Sequence, residues 1–254
     1  MDDRVIHSSA SEPSQALVTP SRGGDAPRVG PVAILVSASA DMNLCLQALE
    51  VSPHCQRRLF TSRVYGGTGQ PCIVGPFIGA PYAVMLLENL VSWGARTIIA
   101  AGWCGSLTPE VDIGALILPT AAFVDEGTTR HYGSPPRDIV RPPGPTTTAM
   151  QQIFNECRIA VHPGSVWTTD APYRETPSKV DAYRSRGALA VEMEFSALCS
   201  AGKFLNAAVG GALVVSDTLF GGRWRPGFHD GRFKQGRKAL FEGIRYLCRN
   251  LSTP

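Results

Sequence analysis

The 254-residue chain carries no run of lysine and arginine and no long hydrophobic segment. Its formal net charge is only +3, so nothing predicts a nucleic-acid partner. No apolar stretch approaches the roughly 20 residues that a membrane-spanning helix needs, and we therefore expect no membrane partner. Asp2, Asp3 and Arg4 stand where a secretory signal would be positive and then apolar, which predicts that no such signal is present.

The cysteines lack the spacing of metal sites and disulfide frameworks. The seven of them form no CxxC pair and lie at positions 45, 55, 72, 104, 157, 199 and 248. We therefore predict no metal site, and the odd number favours a reducing, cytoplasmic location.

The composition is that of a globular protein, with 44% hydrophobic and 18% charged residues. Residues 1–28 are rich in Ser, Pro and Gly without periodicity, and we expect them to form a disordered tail. An ordered domain is expected over 29–254. There, apolar runs alternate with helical patterns, which predicts a single α/β domain with a central mixed β-sheet or barrel flanked by helices.

Apolar periodicity and turn residues give the expected boundaries of the elements. Strands are expected at 32–36, 97–101, 114–123, 161–168, 188–191 and 207–215, and helices at 41–49, 80–93, 148–157, 177–186, 195–205 and 231–251. A glycine turn is expected after residue 101. Residues 58–65 and 72–74 are expected to form a hairpin around the glycine-rich turn 66–69, and the five prolines of 135–145 predict a loop.

Two carboxylates stand at the ends of apolar strands. Glu194 comes where the strand 188–191 gives way to a helix, and Asp217 follows the run 207–215. Strand ends are where α/β sheets expose their chemistry. One acid suits vicinal hydroxyls and the other suits a protonatable ring nitrogen, so the pair suggests a nucleoside. The alternative is that these acids are only helix caps or turn residues.

Three segments together resemble the nucleoside phosphorylases and nucleosidases of the purine nucleoside phosphorylase/uridine phosphorylase fold. They are Val191-Glu192-Met193-Glu194, Val215-Ser216-Asp217, and the block from Gly79-Ala80-Pro81 to Gly102-Trp103-Cys104-Gly105-Ser106-Leu107. The resemblance covers residues 32–247. It implies a phosphorylase-like α/β fold and an enzyme that cleaves the N-glycosidic bond of a nucleoside, as a glycosyltransferase or an N-ribosyl hydrolase.

The resemblance also implies roles for single residues. Asp217 resembles the acid that assists the departure of a purine base, Glu194 the acid that binds the ribose 2′- and 3′-hydroxyls, and Met193 the residue packed on the sugar. Arg223 or Arg225 either pairs with Asp217 or belongs to a basic surface loop. Further substrate contacts are expected from Glu192, Trp103, Cys104, Gly105, Tyr173 and His131.

The sequence departs from the family where the phosphorylases bind phosphate. Asp41 and Ala100 stand at positions of two arginines, and Trp103 at that of a small hydroxyl residue. Only Arg58 resembles a phosphate-binding arginine, one that is donated across a dimer. Inorganic phosphate therefore stays open as a co-substrate, beside hydrolysis in which Asp41 activates water. Asp41 could equally be the N-cap of the helix 41–49.

The family resemblance implies a small-molecule nucleoside as partner, a homodimer or hexamer, and no cofactor other than phosphate. Two other classes of function are also considered. The chain could be a non-catalytic nucleoside-binding protein, although intact Glu194 and Asp217 argue against this. It could also be a transferase or lyase with Cys104 near the reactive carbon, although Cys104 could equally be a small structural residue.

Overall fold

The computed structural model describes residues 16–20, 27–54, 56–67, 70–133 and 138–251. The strands within these residues are Val32–Val36 (β1), Gln56–Leu59 (β2), Ser62–Tyr65 (β3), Cys72–Gly75 (β4), Thr97–Ser106 (β5), Leu116–Asp125 (β6), Ile139–Val140 (β7), His162–Thr169 (β8), Ala188–Glu192 (β9), Ala208–Thr218 (β10) and Arg225–Pro226 (β11). The α-helices are Ser39–Ala48 (α1), Ala80–Ser92 (α2), Thr146–Glu156 (α3), Pro177–Ser185 (α4), Phe195–Phe204 (α5) and Gly231–Leu251 (α6). The predicted tail, 1–28, lies mostly outside the described residues.

The strands belong to one mixed sheet, part of which closes on itself. Strand β10 pairs parallel with β5 and antiparallel with β6. The ring continues from β6 through β8 to β9 in parallel pairs, and β9 returns antiparallel to β5. The strands β1, β4, β3 and β2 extend the sheet beyond β5. The predicted α/β domain with a central mixed sheet and barrel is therefore confirmed.

The helices cover both faces of this sheet. Ile34 and Leu35 are neighbours in β1 and both are fully buried, yet they belong to different apolar clusters, because side chains alternate along a strand. Leu35 packs in the cluster that holds Leu87 of α2, and Ile34 in the cluster that holds Phe241 of α6. Each such side chain contributes about 1.5–3 kcal/mol through burial.

Strand β5 is longer than predicted, because the expected glycine turn after residue 101 does not form. The strand continues through Gly102 and Gly105 to Ser106. A Cβ at Gly102 would lie 2.6 Å from the Ser37 hydroxyl oxygen, and one at Gly105 would lie 2.4 Å from a Leu219 methyl carbon. These glycines allow neighbouring segments to approach the strand closely. In the sequence, glycines placed for close approach look the same as glycines that mark a turn.

Two other predicted segments differ in detail. The residues expected to form one strand at 58–65 turn at Phe60, which has a φ of 54°, and so give the separate strands β2 and β3. Strand β3 does pair antiparallel with β4, but positions 68 and 69 of the expected turn lie outside the described residues. The proline-rich loop holds the short strand β7, which pairs with β6. In the described part of the chain, no helix is long and apolar enough to span a membrane.

Candidate active site

A cavity of about 620 Å³, called the pocket below, opens where β1, β5, β9 and β10 approach their ends. Four carboxyl groups line it, those of Glu175, Glu192, Glu194 and Asp217. Aromatic rings and small residues form much of the rest of the wall, among them Ser37, Ala38, Phe77, Trp103, Cys104, Gly105, Tyr173 and Trp224. Among the described residues that line the pocket there is no Lys, Arg or His.

The closed part of the sheet brings the two predicted acids to this pocket. Gly105 in β5 lies opposite Asp217 in β10 on one side and opposite Val191 in β9 on the other. The pairing of β5 with β10 shifts by one residue at Ser216, as in a β-bulge. Bulges re-aim the side chains that follow them, and Asp217 directly follows this one.

Position 105 requires a glycine because it lies close to Asp217. A Cβ at this position would lie 3.2 Å from the Asp217 Oδ2 atom and 3.3 Å from a Val191 methyl carbon, besides its clash with Leu219. The missing side chain therefore leaves room for the carboxylate that faces the pocket.

Glu194 lies at the corner between β9 and α5 and points to the start of α2. The Gly79 backbone N–H donates a hydrogen bond of 2.6 Å to its Oε1 atom. Burial, and to a lesser degree the charge of Glu192, raises the pKa of Glu194 to about 8. Glu194 is thus a half-buried acid with one oxygen already bound, next to a second acid on the same wall.

Glu192 fixes the backbone that carries Glu194. Its Oε2 atom accepts hydrogen bonds of 2.7 Å from the backbone N–H groups of Glu194 and Phe195, and Thr168 donates its hydroxyl to Oε1. Burial raises the pKa of Glu192 to about 7, although these donors oppose the shift. Its acceptor positions are used within the protein, which makes Glu192 a positioning residue for Glu194.

Asp217 is held by neutral donors. The Ser216 hydroxyl donates to Oδ1 over 2.6 Å, and the Trp224 indole N–H donates to Oδ2 over 2.8 Å. The predicted ion pair with Arg225 is wrong, since Arg225 binds Asp112 at 2.7 Å. No ion pair of Arg223 with Asp217 occurs among the described residues either. Trp224, between these two arginines in sequence, takes the place that the prediction gave to them.

Asp41 does not line the pocket. It is buried in the first turn of α1, where it accepts a 2.6 Å hydrogen bond from the Trp103 indole N–H and pairs with Arg237. The N-cap of α1 is Ala38, so the alternative that Asp41 caps this helix is wrong. Burial raises the pKa of Asp41, and its bonds to Trp103 and Arg237 oppose the shift.

The other predicted residues divide between the pocket wall and the outer surface. Met193, Cys104 and Tyr173 line the pocket, with Tyr173 fully exposed at its edge. His131 is exposed at the end of a short 3-10 helix, and Arg58 is exposed on β2, where its Nε atom donates to the Phe60 carbonyl. Neither of these two reaches the pocket of its own chain.

Cys104 does not have the properties of a nucleophile. Burial, and then the charge of Asp217, raises the pKa of its thiol well above the ordinary value of 9.0. A thiol that stays protonated is a weak nucleophile. The position supports the reading of Cys104 as a small structural residue of the wall.

Glu175 lines the pocket beside Tyr173, where the family resemblance places a contact to the base or the 5′ end, whereas no clear sequence signal singles out Arg237. Burial and then the charge of Asp217 raise the pKa of Glu175 to about 7, which places these two acids within electrostatic reach of each other. Arg237 comes from α6, whose helical pattern gives no reason to expect contact with α1. Only the folded chain brings these residues to the pocket and its surroundings.

A closed mixed sheet with paired acids at strand ends defines an α/β enzyme with a small-molecule pocket. The chain belongs to the phosphorylase superfamily, whose family model matches residues 30–240. This confirms the family predicted from the sequence and its class of reaction, the cleavage of N-glycosidic bonds by nucleoside phosphorylases and nucleosidases.

Individual relatives agree with this family. The guanosine phosphorylase of Halorubrum lacusprofundi is 26% identical over 178 residues, which are 68% of this chain and 71% of that protein. The structure of purine nucleoside phosphorylase from Toxoplasma gondii with immucillin-H superposes with a TM-score of 0.77 and 22% identity, over 88% of this chain and 92% of that one. AMP nucleosidase from Bacteroides thetaiotaomicron gives 0.70 and 19%, over 89% and 91%. At these identities the two solved structures establish the fold alone.

Proposed function

We propose that this protein cleaves the N-glycosidic bond of purine-type nucleosides. The observation that carries the proposal is that Glu194 and Asp217 line the same pocket, brought there by the closure of β5 on β10 and β9. A carboxylate suits the two ribose hydroxyls, and a second acid suits a purine ring nitrogen. The names of the relatives, guanosine and purine nucleoside phosphorylases, support a purine base.

In this mechanism Glu194 binds the ribose hydroxyls, and Met193 packs against the sugar. Asp217 donates its proton to N7 of the base. The bond between C1′ and N9 then breaks, its electron pair stays with the base, and the base leaves as a neutral species. The nucleophile forms the new bond to C1′, and the proton that it loses restores Asp217. The exposed Trp224 competes with the base for the Asp217 Oδ2 atom.

The charge of the pocket favours water over phosphate as the nucleophile. Phosphate is normally bound by several arginine or backbone N–H donors, and the described lining has carboxyl groups without a cation. Asp41 faces Trp103 instead of the pocket, so its part in hydrolysis is indirect.

The proposed enzyme works as a homodimer or hexamer in the cytoplasm and needs no cofactor, with inorganic phosphate as the alternative co-substrate. Arg58 and His131 are exposed outside the pocket of their own chain, and a second copy would have to bring them to it. Trp103, Cys104, Gly105 and Tyr173 shape the wall around the substrate. Arg225, bound to Asp112, steadies the segment that carries Trp224, and Arg223 lies in that same segment.

Product identification tests the proposal against a purely nucleoside-binding function. The purified protein is incubated with purine and pyrimidine nucleosides, with and without phosphate. We expect free purine base together with ribose, at a rate that does not depend on phosphate. Sugar 1-phosphate formed only with phosphate would make the protein a phosphorylase. Tight nucleoside binding without any base release would contradict catalysis.

The role of Glu194 in ribose binding is tested by combining a substitution at this residue with a change of the sugar. Glu194→Gln should reduce kcat/KM more for ribonucleosides than for 2′-deoxynucleosides, because a partner of the 2′-hydroxyl is weakened. The expected difference is about 0.5–1.5 kcal/mol, the worth of a hydrogen bond between neutral groups, because the raised pKa keeps Glu194 protonated near neutral pH. The control is Asp181→Asn, since Asp181 is exposed on α4, outside the pocket lining, and pairs with Arg184 on the same helix. An equal loss on both sugars would remove Glu194 from the ribose site.

A further inference from the structure

Two carboxyl groups and two aromatic rings lie together in the part of the pocket where the base is proposed to bind. Asp217 is the acid that faces N7 in the proposed function, and Glu175 lines the pocket within electrostatic reach of it. Tyr173, two residues before Glu175, and Trp224, which donates to Asp217, also line the pocket. These four residues are called the base end below.

No positive charge of the described residues compensates the two acids of the base end. Asp217 accepts hydrogen bonds from neutral donors, the Ser216 hydroxyl and the Trp224 indole N–H. The half-buried Glu175 carboxyl accepts no hydrogen bond and forms no ion pair in the described part of the chain. Burial, and then the charge of Asp217, raises the pKa of Glu175 to about 7, so the two acids repel each other. A positively charged group bound between them would remove this repulsion.

The arginines close in sequence to Glu175 and Trp224 do not supply that charge. Arg225 is bound to Asp112 at 2.7 Å, and its guanidinium lies over the Phe220 ring. Arg174 and Arg223 are exposed and do not belong to the pocket lining. Within the described chain, positive charge at the base end is therefore left to a ligand.

The two rings of the base end suit a flat cation. The side chains of Tyr173 and Trp224 are both exposed, and no Lys or Arg of the described residues lies over either ring, whereas Arg237 lies over Trp103. The faces of Trp and Tyr attract cations, and aromatic rings are a recurring way to bind a quaternary nitrogen. Rings with free faces beside uncompensated carboxyl groups therefore favour a positively charged base over an uncharged one.

We propose that the base end selects nucleosides whose base carries a fixed positive charge on a ring nitrogen, and that Glu175 is the residue that makes this selection. A purine ribonucleoside alkylated at N7 is such a substrate. The inference rests on the proposed function and deepens it, because it names the kind of base that the pocket prefers to an uncharged purine.

A charged base also fits the chemistry of the proposed reaction. When the bond between C1′ and N9 breaks, its electron pair neutralises the alkylated ring, and the base leaves uncharged without a proton from Asp217. Water bonds to C1′ and releases one proton to the solvent, so the products are ribose, the neutral base and a proton. The positive charge moves from the base towards the sugar in the transition state and stays among the carboxyl groups of the pocket.

Two nucleoside analogues that differ in charge test the selection by calorimetry. Carbocyclic guanosine and its N7-methyl derivative have no glycosidic bond and are not cleaved. We expect the wild type to bind the cationic derivative about tenfold or more tightly than the uncharged analogue, and Glu175→Gln to reduce this ratio by about fivefold. Glu175→Gln should bind the uncharged analogue as the wild type does. Asp181→Asn, the exposed control, should keep the wild-type ratio.

A second pair of ligands has the same shape in both members. The N-methylnicotinamide cation and neutral 3-methylbenzamide differ in one charged ring nitrogen, and each is used to displace carbocyclic guanosine. The cation should be the stronger competitor on the wild type and should lose this advantage on Glu175→Gln. A wild type that binds neither cation better than its uncharged counterpart overturns the proposal, as does a folded Glu175→Gln variant that keeps the full preference.

The outcomes separate this inference from the proposed function. Equal binding of charged and uncharged ligands, together with base release from purine nucleosides, overturns the selection and leaves glycosidic cleavage intact. Preferential binding of the cations, without base release from any nucleoside, supports the selection and contradicts the proposed function.

Discussion

The two oxygens of Asp217 have unequal surroundings. The donor to Oδ1, Ser216, is buried, whereas the donor to Oδ2, Trp224, is 63% exposed and can move aside without breaking the core. Asp217 therefore has one fixed oxygen and one that a ligand can reach. A general acid needs this combination of a fixed position and an accessible proton site.

Replacement of Asp217 tests this assignment by kinetics. Asp217→Asn keeps the size of the side chain and removes the acid, so kcat on purine nucleosides should fall by about 10²–10⁴-fold with a smaller change in KM. Steady-state rates of base release measure this, with Asp181→Asn as the exposed control. An unchanged kcat would exclude Asp217 from the chemical step.

The acids of the pocket also predict how stability depends on pH. The pKa of Glu194 is raised by burial to about 8 from an ordinary 4.5, so the folded chain keeps a proton that the unfolded chain releases. Stability should therefore fall as pH rises from about 4.5 to about 8. Glu192 and Glu175, whose pKa values burial raises to about 7, act in the same direction.

Thermal unfolding measures this effect. The midpoint Tm of the ligand-free protein should fall between about pH 5 and about pH 8, and Glu194→Gln should remove about 1 kcal/mol or more of the loss, or about 2–4 °C. Asp181→Asn should leave the slope as it is. A variant with the wild-type slope would mean that Glu194 is ionised in the folded protein at low pH.

Helix α6 carries Arg237, and a close backbone contact at Gly236 fixes the position of this helix. A Cβ at Gly236 would lie 2.3 Å from the Gly114 carbonyl oxygen and 2.9 Å from a Val214 methyl carbon. The helix therefore approaches the turn before β6 at backbone distance. Gly114, with a φ of 88°, would in turn meet the Arg232 backbone if it had a side chain. This close crossing sets where Arg237 meets Asp41.

Two glycines of α6 make a matched pair of substitutions. Gly236→Ala should destabilise the protein by about 1–3 kcal/mol, because the added methyl group meets backbone that cannot yield. Gly231→Ala, where a Cβ meets nothing within 4 Å, should be neutral or slightly stabilising. Urea denaturation compares the two. Equal effects would show that helix propensity decides, and that the close crossing at Gly114 does not matter.

Most elements are predictable from the sequence because their signals are local. Pro81 in the first turn and Gly94 after the last one mark the ends of α2, and its apolar stripe follows the helical period. The extension of β5 and the turn at Phe60 are not predictable in this way. Both depend on which segments approach each other in the folded chain, such as Ser37 against Gly102.

The same division between local signals and contacts made only in the folded chain applies to the site. Glu194 and Asp217 can be found because they follow apolar strands within motifs of the family. The network of Trp103, Asp41 and Arg237 joins β5, α1 and α6, positions up to 196 residues apart, and nothing local links them. The sequence does not predict Trp224 as the hydrogen-bond partner of Asp217. The neighbouring arginines, Arg223 and Arg225, are the more obvious partners for a carboxylate because they carry a positive charge.

Assembly is the property of the whole molecule that the proposed mechanism needs. Phe60, Ile78 and Met85 are exposed apolar side chains, and Ile78 also lines the pocket, so a second copy that covers them would contact the substrate site. We expect light scattering after size exclusion to give a dimer or a multiple of one. A monomer that still turns over would contradict the part proposed for Arg58.

The central claim is that one pocket binds a purine nucleoside between Glu194 and Asp217, and a crystal structure with a non-cleavable purine nucleoside analogue tests it most directly. We predict the ribose 2′- and 3′-hydroxyls within hydrogen-bond distance of Glu194, N7 of the base facing Asp217, and Trp103 in place beside the sugar. An analogue bound outside this pocket, or with its base on Glu194 and its sugar on Asp217, would contradict the account.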